Sequence, residues 1–307
     1  MLISTKAELD SALRDTSWIG FVPTMGALHA GHESLVRSAV QQRDLQDEQG
    51  AVVVSVFVNP AQFAPNEDFG RYPRNLDADI AAAQQAGADY VFAPSMNEIY
   101  PDYPELTISS QRAICPGPVA KRWEGEVRPG HFEGVAAVVK RLFDLIEPQS
   151  AYFGEKDYQQ LRVIEDMTKD LQLPAKIVRV PTMRDQSGLA LSSRNQYLSD
   201  SELKAALSIP SVLQATQGAI ASGTQNIASL LESAHEQLDR SIKVDYLALV
   251  DAQTLEPLQQ LDKETSARII FAGSVGKTRL IDNCAIVAGD DAYESASAVA
   301  ALADPSV

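Results

Sequence analysis

Two histidines three residues apart, His29 and His32, lie in a glycine-containing segment between an apolar run and a helical pattern. Residues 18–22 are predicted to form a strand and residues 32–42 a helix, with Gly31 in the turn between them. A helix N-terminus offers unpaired N–H groups and about half a positive charge, so a phosphate would be well placed there. The two imidazoles could then donate hydrogen bonds to phosphoryl oxygens as negative charge develops.

Two other interpretations of these histidines remain open. A pair of capping or core histidines is the more common meaning of an isolated HxxH spacing. A metal site is the second, but the zinc-binding HExxH pattern would need a histidine where Val36 stands, and only His131 and His235 remain as further imidazoles. The position between a strand and a helix favours phosphate binding. The segment resembles the HxGH signature of nucleotidyltransferases and related adenylate-forming enzymes.

A second polar segment follows the predicted strand at residues 51–58. Asn59 and Gln62 carry neutral amides there, which can hydrogen-bond both hydroxyl and carboxylate groups of a small substrate. A polar turn after a strand is the alternative. The carboxyl ends of parallel strands meet at one edge of a sheet, so we expect these amides near the histidines.

A third segment follows the predicted strand at residues 151–153 and opens a helix. Gly154 allows close approach of a ligand to the backbone, Lys156 supplies a positive charge for phosphate, and Gln160 lies one helical turn further on. A solvated helix start is the ordinary alternative. Three strand ends with ligand-type side chains favour a shared site.

A fourth segment, residues 184–195, lacks periodicity and contains several hydroxyl groups with Arg194. Such a loop can close over phosphates and supply charge where pyrophosphate leaves, although a polar linker would have the same composition. Residues 273–278 contain a GKT sequence, but Phe271 stands where the Walker pattern needs glycine, so we predict an ordinary turn.

Composition limits the partners of the chain. A formal net charge of -15 argues against nucleic acid as the main partner, while a local cluster of basic side chains can still hold a small anion. The two cysteines, Cys115 and Cys284, have no metal-binding or redox spacing. No apolar run reaches the ~18 residues of a membrane span, and no signal peptide is recognisable. We therefore expect a cytoplasmic protein with no membrane partner.

Strand and helix patterns alternate through the first half of the chain, which predicts an α/β fold with a Rossmann-like, doubly wound parallel sheet. The further elements predicted there are helices at residues 75–86, 132–146 and 158–171, and strands at 89–92 and 177–180. A smaller C-terminal α+β domain is predicted from helices at 200–221 and 226–240 and strands at 245–250 and 268–272. The domains are predicted at residues 1–183 and 184–288, followed by a poorly ordered tail at 289–307.

Together these segments resemble the pantoate-beta-alanine ligase family over nearly the whole chain. The resemblance is carried by PTMGALHAGH, VFVNPAQF, RYPR, RPGHF, FGEKDYQQL, LALSSRN and TRLIDN, in that order. It implies that ATP adenylates pantoate and that beta-alanine then displaces AMP to give pantothenate. It also implies Mg²⁺ with ATP and a homodimer. Trp123 and the tail beyond about residue 288 depart from the family pattern.

The resemblance also implies roles for individual residues. His29 and His32 would stabilise the transferring phosphoryl group, with His32 as the proton donor, and Lys156 and Arg194 would be catalytic. Gln62, Gln160, Asn59 and Arg128 would bind the substrates pantoate and beta-alanine. ATP would be bound by Met25, Gly26, Ala27, Leu28, His29, Ala30, Gly31, His32, Gly154, Glu155, Lys156, Asp157, Met183, Leu191, Ser192, Ser193 and Arg194. Metal ligands are not legible from the sequence, although Asp77 and Asp79 are nearby acidic candidates.

Two other functions compete with the ligase. A nucleotidyltransferase would pass a nucleotidyl group to a phosphorylated acceptor and release a stable nucleotide product. A non-enzymatic adenine-nucleotide-binding module would bind ATP without turnover.

Overall fold

A computed structural model describes residues 1–45, 49–64, 68–101, 114–224, 226–262 and 265–286 of the chain. The chain divides into two units, Met1–Met183 and Arg184–Val307. Whether each unit folds on its own as a domain stays a prediction. The tail predicted at residues 289–307 lies outside the described residues.

A six-stranded parallel sheet forms the centre of the first unit. Its strands are β1 (Leu2–Ile3), β2 (Trp18–Thr24), β3 (Gly50–Val56), β4 (Tyr90–Phe92), β5 (Ser150–Gly154) and β6 (Lys176–Val180). Every pairing is parallel, and the spatial order is β1-β4-β3-β2-β5-β6. From β2 the chain adds β3 and then β4 on one side, and it then returns to add β5 and β6 on the other side of β2. That reversal creates a crevice at the carboxyl ends of β2 and β5, where ligands bind in such sheets.

Helices cover this sheet, and their sequence patterns explain their positions. They are α1 (Lys6–Leu13), α2 (Ala30–Asp44), α3 (Leu76–Gln85), α4 (Met96–Ile99), α5 (Glu124–Val127), α6 (His131–Ile146) and α7 (Tyr158–Asp170). In α2, Leu35, Val36 and Ala39 recur at helical spacing and pack into the core that contains Val22 and Val52 of the sheet. Burying a leucine or valine side chain contributes about 1.5–3 kcal/mol, so Leu35 and Val36 anchor α2 and the turn that precedes it.

In the described residues of the second unit, three α-helices accompany an antiparallel sheet. The helices are α8 (Asp200–Ala206), α9 (Ser208–Ala221) and α10 (Ile227–Gln237), and the strands are β7 (Ile242–Asp251), β8 (Ala267–Val275) and β9 (Thr278–Ile286). Ile269 and Phe271 of β8 and Leu213 of α9 are almost fully buried in a shared core. The unit is thus an α+β structure, and the predicted fold class is confirmed.

Several predicted element boundaries were wrong, each for a local reason. The helix predicted at residues 200–221 is divided into α8 and α9. Pro210 has no N–H to donate, and its ring would clash with the carbonyl of residue 206 in a continuous helix. The strand predicted at residues 51–58 ends at Val56, before a 3-10 turn that begins at Pro60. Strands β1 and β9 and helix α1 were not predicted. Residues 273–278 include the turn of the β8–β9 hairpin, as predicted. Gly276 in this turn has φ +57°, a left-handed backbone conformation that glycine adopts readily.

Among the described helices, none has both the length and the apolar character needed to cross a lipid bilayer.

Candidate active site

The turn after β2 is shaped by two consecutive residues with left-handed backbone, Gly26 at φ +81° and Ala27 at φ 51°. Thr24 stabilises its start, because the Thr24 hydroxyl accepts a hydrogen bond from the Gly26 N–H at 3.1 Å and donates to the Ser55 carbonyl at 2.7 Å. The φ of Gly26 suits glycine, and a Cβ there would also lie 2.7 Å from Asp79 Oδ2. The chain therefore enters α2 in a defined direction.

Asp79 of α3 holds this turn from the side. Its carboxylate is only 3% exposed, and Oδ1 accepts a hydrogen bond from the Leu28 N–H at 2.8 Å. Sequence reasoning named Asp79 only as a metal candidate. In the structure its carboxylate is engaged with the backbone of the predicted ATP-binding turn.

His29 and His32 stand together at the start of α2, with ring centroids 4.1 Å apart. His29 is the N-cap residue with extended backbone, so the two imidazoles meet at the helix cap. His29 Nδ1 accepts from the Gly31 N–H at 3.1 Å, and His32 Nδ1 accepts from the His29 N–H at 3.3 Å. Each Nδ1 is an acceptor, so in the neutral imidazole the proton resides on Nε2.

The charge state of both rings follows from their surroundings. Burial, with smaller contributions from His29 and Lys156, lowers the pKa of His32 to about 3. Burial also lowers the pKa of His29, with an added effect of the Lys156 charge that Asp157 and Glu33 oppose. Both imidazoles are therefore neutral near pH 7. They present Nε2–H groups as hydrogen-bond donors at a helix N-terminus.

Lys156 brings positive charge to the same place from the end of β5. It lies in a 3-10 turn, Glu155–Asp157, with its side chain about one-fifth exposed and Nζ 3.7 Å from Asp157 Oδ2. Its positive charge contributes to the lowered pKa of both histidines. A side chain at position 154 would fit within the protein, since a Cβ there would meet only Leu35 at an ordinary van der Waals distance of 3.9 Å. Packing within the protein therefore does not explain the glycine at this position.

The predicted amides follow β3 and are buried. Gln62 is 7% exposed and donates through Nε2 to Met25 Sδ at 2.9 Å, so the two predicted ligands are in contact. Asn59, 1% exposed, donates through Nδ2 to Gln62 Oε1 at 3.3 Å and to the Gly134 carbonyl at 3.0 Å. The Tyr100 hydroxyl donates to Asn59 Oδ1 at 2.9 Å. The structure thus joins the β2 turn to the segment after β3.

A further predicted ligand, Arg128, precedes α6. Arg128 Nη1 lies 3.1 Å from His131 Nε2 and 3.9 Å from the buried Glu124 carboxylate. His131 Nδ1 lies 2.8 Å from the Gln62 carbonyl oxygen. In the sequence, His131 was noted as a further imidazole and as part of the RPGHF motif, and its contacts could not be read from spacing.

Gln159 and Gln160, adjacent in the first turn of α7, differ in burial and in hydrogen bonding. Gln159 is 8% exposed and donates through Nε2 to the carbonyls of Val119 at 2.8 Å and Arg122 at 2.7 Å. Its Oε1 accepts from the Glu124 N–H at 3.0 Å, so Gln159 organises residues 119–124. Gln160 is half-buried beside it. Sequence reasoning missed Gln159, because helical phase alone does not separate two adjacent glutamines.

The fourth predicted segment belongs to the second unit and is ordered there by its own contacts. Ser192 caps a 3-10 turn, Ser193–Tyr197, by accepting from the Arg194 N–H at 3.2 Å. Arg184 forms a two-pronged ion pair with buried Asp282 at 2.7 and 2.8 Å. Met183, predicted near adenine, ends the first unit and is 37% exposed.

No group of three or more His, Cys, Asp or Glu side chains that could hold a metal ion occurs in the described part of the chain. Of the two acidic candidates, Asp77 is exposed in the first turn of α3 and Asp79 contacts the turn before α2. A protein cage for Mg²⁺ is therefore not present among these residues.

These features are typical of one class, the α/β nucleotide-binding proteins, with the candidate site at the reversal of a parallel sheet and with neutral imidazoles and a lysine at a helix N-terminus. The comparison with known families is more specific. The chain belongs to the pantoate-beta-alanine ligase family, whose model matches residues 1–285.

Individual relatives agree with this assignment. A pantothenate synthetase from Thermus thermophilus is 48% identical over 283 residues, which cover 92% of this chain and 97% of that protein. A crystal structure of pantothenate synthetase from the same organism has a TM-score of 0.84 and 47% identity, covering 93% of this chain and 99% of that one. A Francisella tularensis pantoate-beta-alanine ligase complexed with beta-gamma ATP and beta-alanine has a TM-score of 0.70 and 34% identity, covering 93% and 97%. The predicted family is confirmed, and the chain is an enzyme of this type.

Proposed function

We propose that this chain condenses pantoate with beta-alanine, using ATP, to give pantothenate, AMP and pyrophosphate through a pantoyl-adenylate. Membership of the ligase family supports the overall reaction. The Francisella tularensis relative was crystallised with an ATP compound and beta-alanine, which supports these two as substrates. The observation that carries the proposal is the pair of neutral imidazoles beside Lys156 at the start of α2.

The reaction has two balanced halves. A carboxylate oxygen of pantoate attacks the α-phosphorus of ATP, the bond to the β-phosphate oxygen breaks, and pyrophosphate leaves. The amine of beta-alanine then attacks the acyl carbon, the acyl–phosphate bond breaks, AMP leaves, and the amine loses a proton to solvent. Both nucleophiles come from substrates, so the protein needs a preorganised, donor-rich site rather than a nucleophilic side chain.

His29 and His32 suit this task as hydrogen-bond donors. Their Nε2–H groups, fixed by the Nδ1 contacts to backbone, would stabilise charge that develops on the α-phosphate. A His32 pKa of about 3 fits hydrogen-bond donation better than the proton transfer predicted from the resemblance, because a neutral imidazole is a very weak acid. Lys156 would supply positive charge to the phosphates.

Pantoate would lie beside Gln62 and Gln160, with Asn59 and Arg128 as supporting contacts. The Gln62 amide donates to Met25 Sδ, and a thioether is a weak acceptor. A substrate hydroxyl or carboxylate oxygen could replace that sulfur with a gain in hydrogen-bond strength. This exchange gives Gln62 a reason to select an oxygen-rich acid.

The other residue roles, the oligomeric state and the location remain predictions. They are a catalytic role for Arg194, assembly as a homodimer, a cytoplasmic location, and ATP binding by Met25, Gly26, Ala27, Leu28, Ala30, Gly31, Gly154, Glu155, Asp157, Met183, Leu191, Ser192, Ser193 and Arg194. We propose that Mg²⁺ enters as part of the MgATP substrate. Mg²⁺ commonly keeps several waters and binds through substrate phosphates, which agrees with the lack of a metal cage in the described residues.

A product assay with omission controls tests this function. The protein is incubated with MgATP, pantoate and beta-alanine, and AMP, pyrophosphate and pantothenate are quantified. We expect the three products in equal amounts and no AMP release when either cosubstrate is absent. AMP release that ignores either cosubstrate would overturn the proposal. A stable adenylylated product would favour the nucleotidyltransferase, and binding without turnover would favour the binding module.

A further inference from the structure

His131 connects two of the proposed substrate ligands, and its hydrogen bonds define one state of its ring. It is the first residue of α6 and is 9% exposed. The Gln62 carbonyl, 2.8 Å from Nδ1, can only accept a hydrogen bond, so Nδ1 carries the proton. The Arg128 guanidinium, 3.1 Å from Nε2, can only donate, so Nε2 offers its lone pair. Both contacts are satisfied at once by the neutral Nδ1–H tautomer.

The first turn of α6 also contacts the rest of the amide segment. Gly134 lies three residues after His131, on the same face of the helix. Its carbonyl accepts from Asn59 Nδ2 at 3.0 Å, and a Cβ at Gly134 would collide with the Ala61 carbonyl oxygen. The backbone of residues 59–62 therefore rests directly on α6, with His131 at the end nearest Arg128.

We propose that His131 is a positioning residue that sets the relative placement of Gln62 and Arg128 for the acid and amine substrates. This inference rests on the proposed function. A guanidinium on a long, flexible side chain loses rotamer entropy when it binds a ligand, so an acceptor that already fixes one N–H prepares it for substrate. The same ring fixes the backbone from which the Gln62 amide projects. Because one ring makes both contacts, a shift at either ligand is transmitted to the other.

Three substitutions separate these contacts. His131→Phe keeps a ring and removes both hydrogen bonds. His131→Asn keeps an amide N–H near the position of Nδ1, and His131→Gln places an amide acceptor near the position of Nε2. His235→Phe, at an exposed position in the second unit, is the matched control for replacing histidine with phenylalanine.

The test is steady-state kinetics with each substrate varied in turn, together with pantoate-dependent exchange of pyrophosphate into ATP without beta-alanine. For His131→Phe we expect the KM for pantoate to rise about 10-fold or more and the KM for ATP to change less than about 2-fold. His131→Asn and His131→Gln should lie between wild type and His131→Phe. The His235→Phe control should match wild type.

Unchanged KM values for pantoate and beta-alanine in folded His131→Phe would overturn the inference. Equal increases in all KM values that track a loss of Tm, without rescue by Asn or Gln, would also overturn it, because they indicate a purely structural role. If His131→Phe does not fold, His131→Asn decides, since it should still raise the KM for pantoate selectively. Wild type that makes no pantothenate would instead refute the proposed function.

Discussion

At the scale of single residues, Nδ1 of both His29 and His32 accepts a hydrogen bond from a backbone N–H, and this decides which ring nitrogen each can offer to a ligand. The capping interpretation and the phosphate interpretation of His29 and His32 are therefore compatible. Nδ1 caps the start of α2, while Nε2–H is left in the correct tautomer for an anionic oxygen. Spacing alone could not reveal this division between the two ring nitrogens.

Both histidines should resist protonation in the free enzyme. We expect ¹⁵N NMR at pH 7.5 to show neutral imidazoles protonated at Nε2, with titration midpoints below the usual ~6.5 and that of His32 near 3. Burial is the main cause for both. His29→Asn and His32→Asn variants assign the signals. A midpoint for His32 at or above ~6.5 would refute the neutral-donor role.

The same lowered pKa of His32 predicts a change in stability with pH. Below about pH 6.5 the unfolded chain takes up the proton more readily than the folded protein. The His32 contribution is thus complete above that pH and decreases as pH falls toward about 3, by up to about 1.4 kcal/mol per pH unit. Urea unfolding at pH 7 and pH 5 should show a smaller loss in His32→Asn than in wild type. Equal losses would contradict the assignment.

Removing the His32 imidazole should reduce turnover more than substrate binding. We expect His32→Ala to lower kcat about 100-fold, which is typical for loss of a donor to transition-state charge. Arg37→Ala, at an exposed position on the same helix, is the control and should retain wild-type kcat. Near-wild-type activity in His32→Ala would remove His32 from the mechanism.

The two amides should act on pantoate and leave ATP largely unaffected. We expect Gln62→Ala and Gln160→Ala to raise the KM for pantoate about 10-fold or more, with little change in ATP affinity, because the amides are assigned to the acid. ATP affinity can be measured separately by calorimetry with a non-hydrolysable analogue. A large loss of ATP affinity would mean that the orientation of the pocket is reversed.

At the scale of elements, the turn between β2 and α2 depends on a side chain from another helix. Asp79→Asn keeps an oxygen that can accept the Leu28 N–H, whereas Asp79→Ala removes it. We expect Asp79→Ala to lose about 1 kcal/mol of stability and to raise the KM for ATP, and Asp79→Asn to remain closer to wild type. Asp77→Asn, in the same helical turn but exposed, is the control. An increased Mg²⁺ requirement in Asp79→Asn would instead make Asp79 a metal ligand.

How far elements could be predicted depended on how local their causes are. The strand β3 was predicted from its continuous, valine-rich apolar run, and α6 from apolar side chains that recur at helical spacing. Helices α8 and α9 were predicted as one, although Pro210 was a local signal for the break. The short strand β1 was missed because its place in the sheet depends on pairing with β4, far along the chain.

The site shows the same division between local and long-range causes. Gly26, His29, His32 and Lys156 could be nominated because glycine turns, imidazoles and a lysine at strand ends have chemical meaning on their own. The roles of Asp79, Gln159 and His131 could not, because each depends on a backbone partner at least 35 residues away. Those partners are brought close only by the fold.

At the scale of the whole molecule, the order of the strands explains why segments far apart in the sequence meet at the proposed site. Reversal of the chain between β2 and β5 brings the His29–His32 turn beside Lys156, and β3 adds Gln62 from the other side. The net charge of -15 makes this local group of donors more important, since the protein as a whole repels phosphate. We therefore expect the proposed site to hold an anion through local donors rather than through overall charge.

Transfer of oxygen from the acid to AMP tests the acyl-adenylate mechanism most directly. Pantoate labelled with ¹⁸O in both carboxylate oxygens is converted in the presence of MgATP and beta-alanine, and the products are analysed by mass spectrometry. Because a carboxylate oxygen attacks the α-phosphorus and leaves with AMP, we expect one ¹⁸O in each AMP and one in the amide carbonyl of each pantothenate. Unlabelled AMP, or ¹⁸O in pyrophosphate, would contradict the proposed reaction.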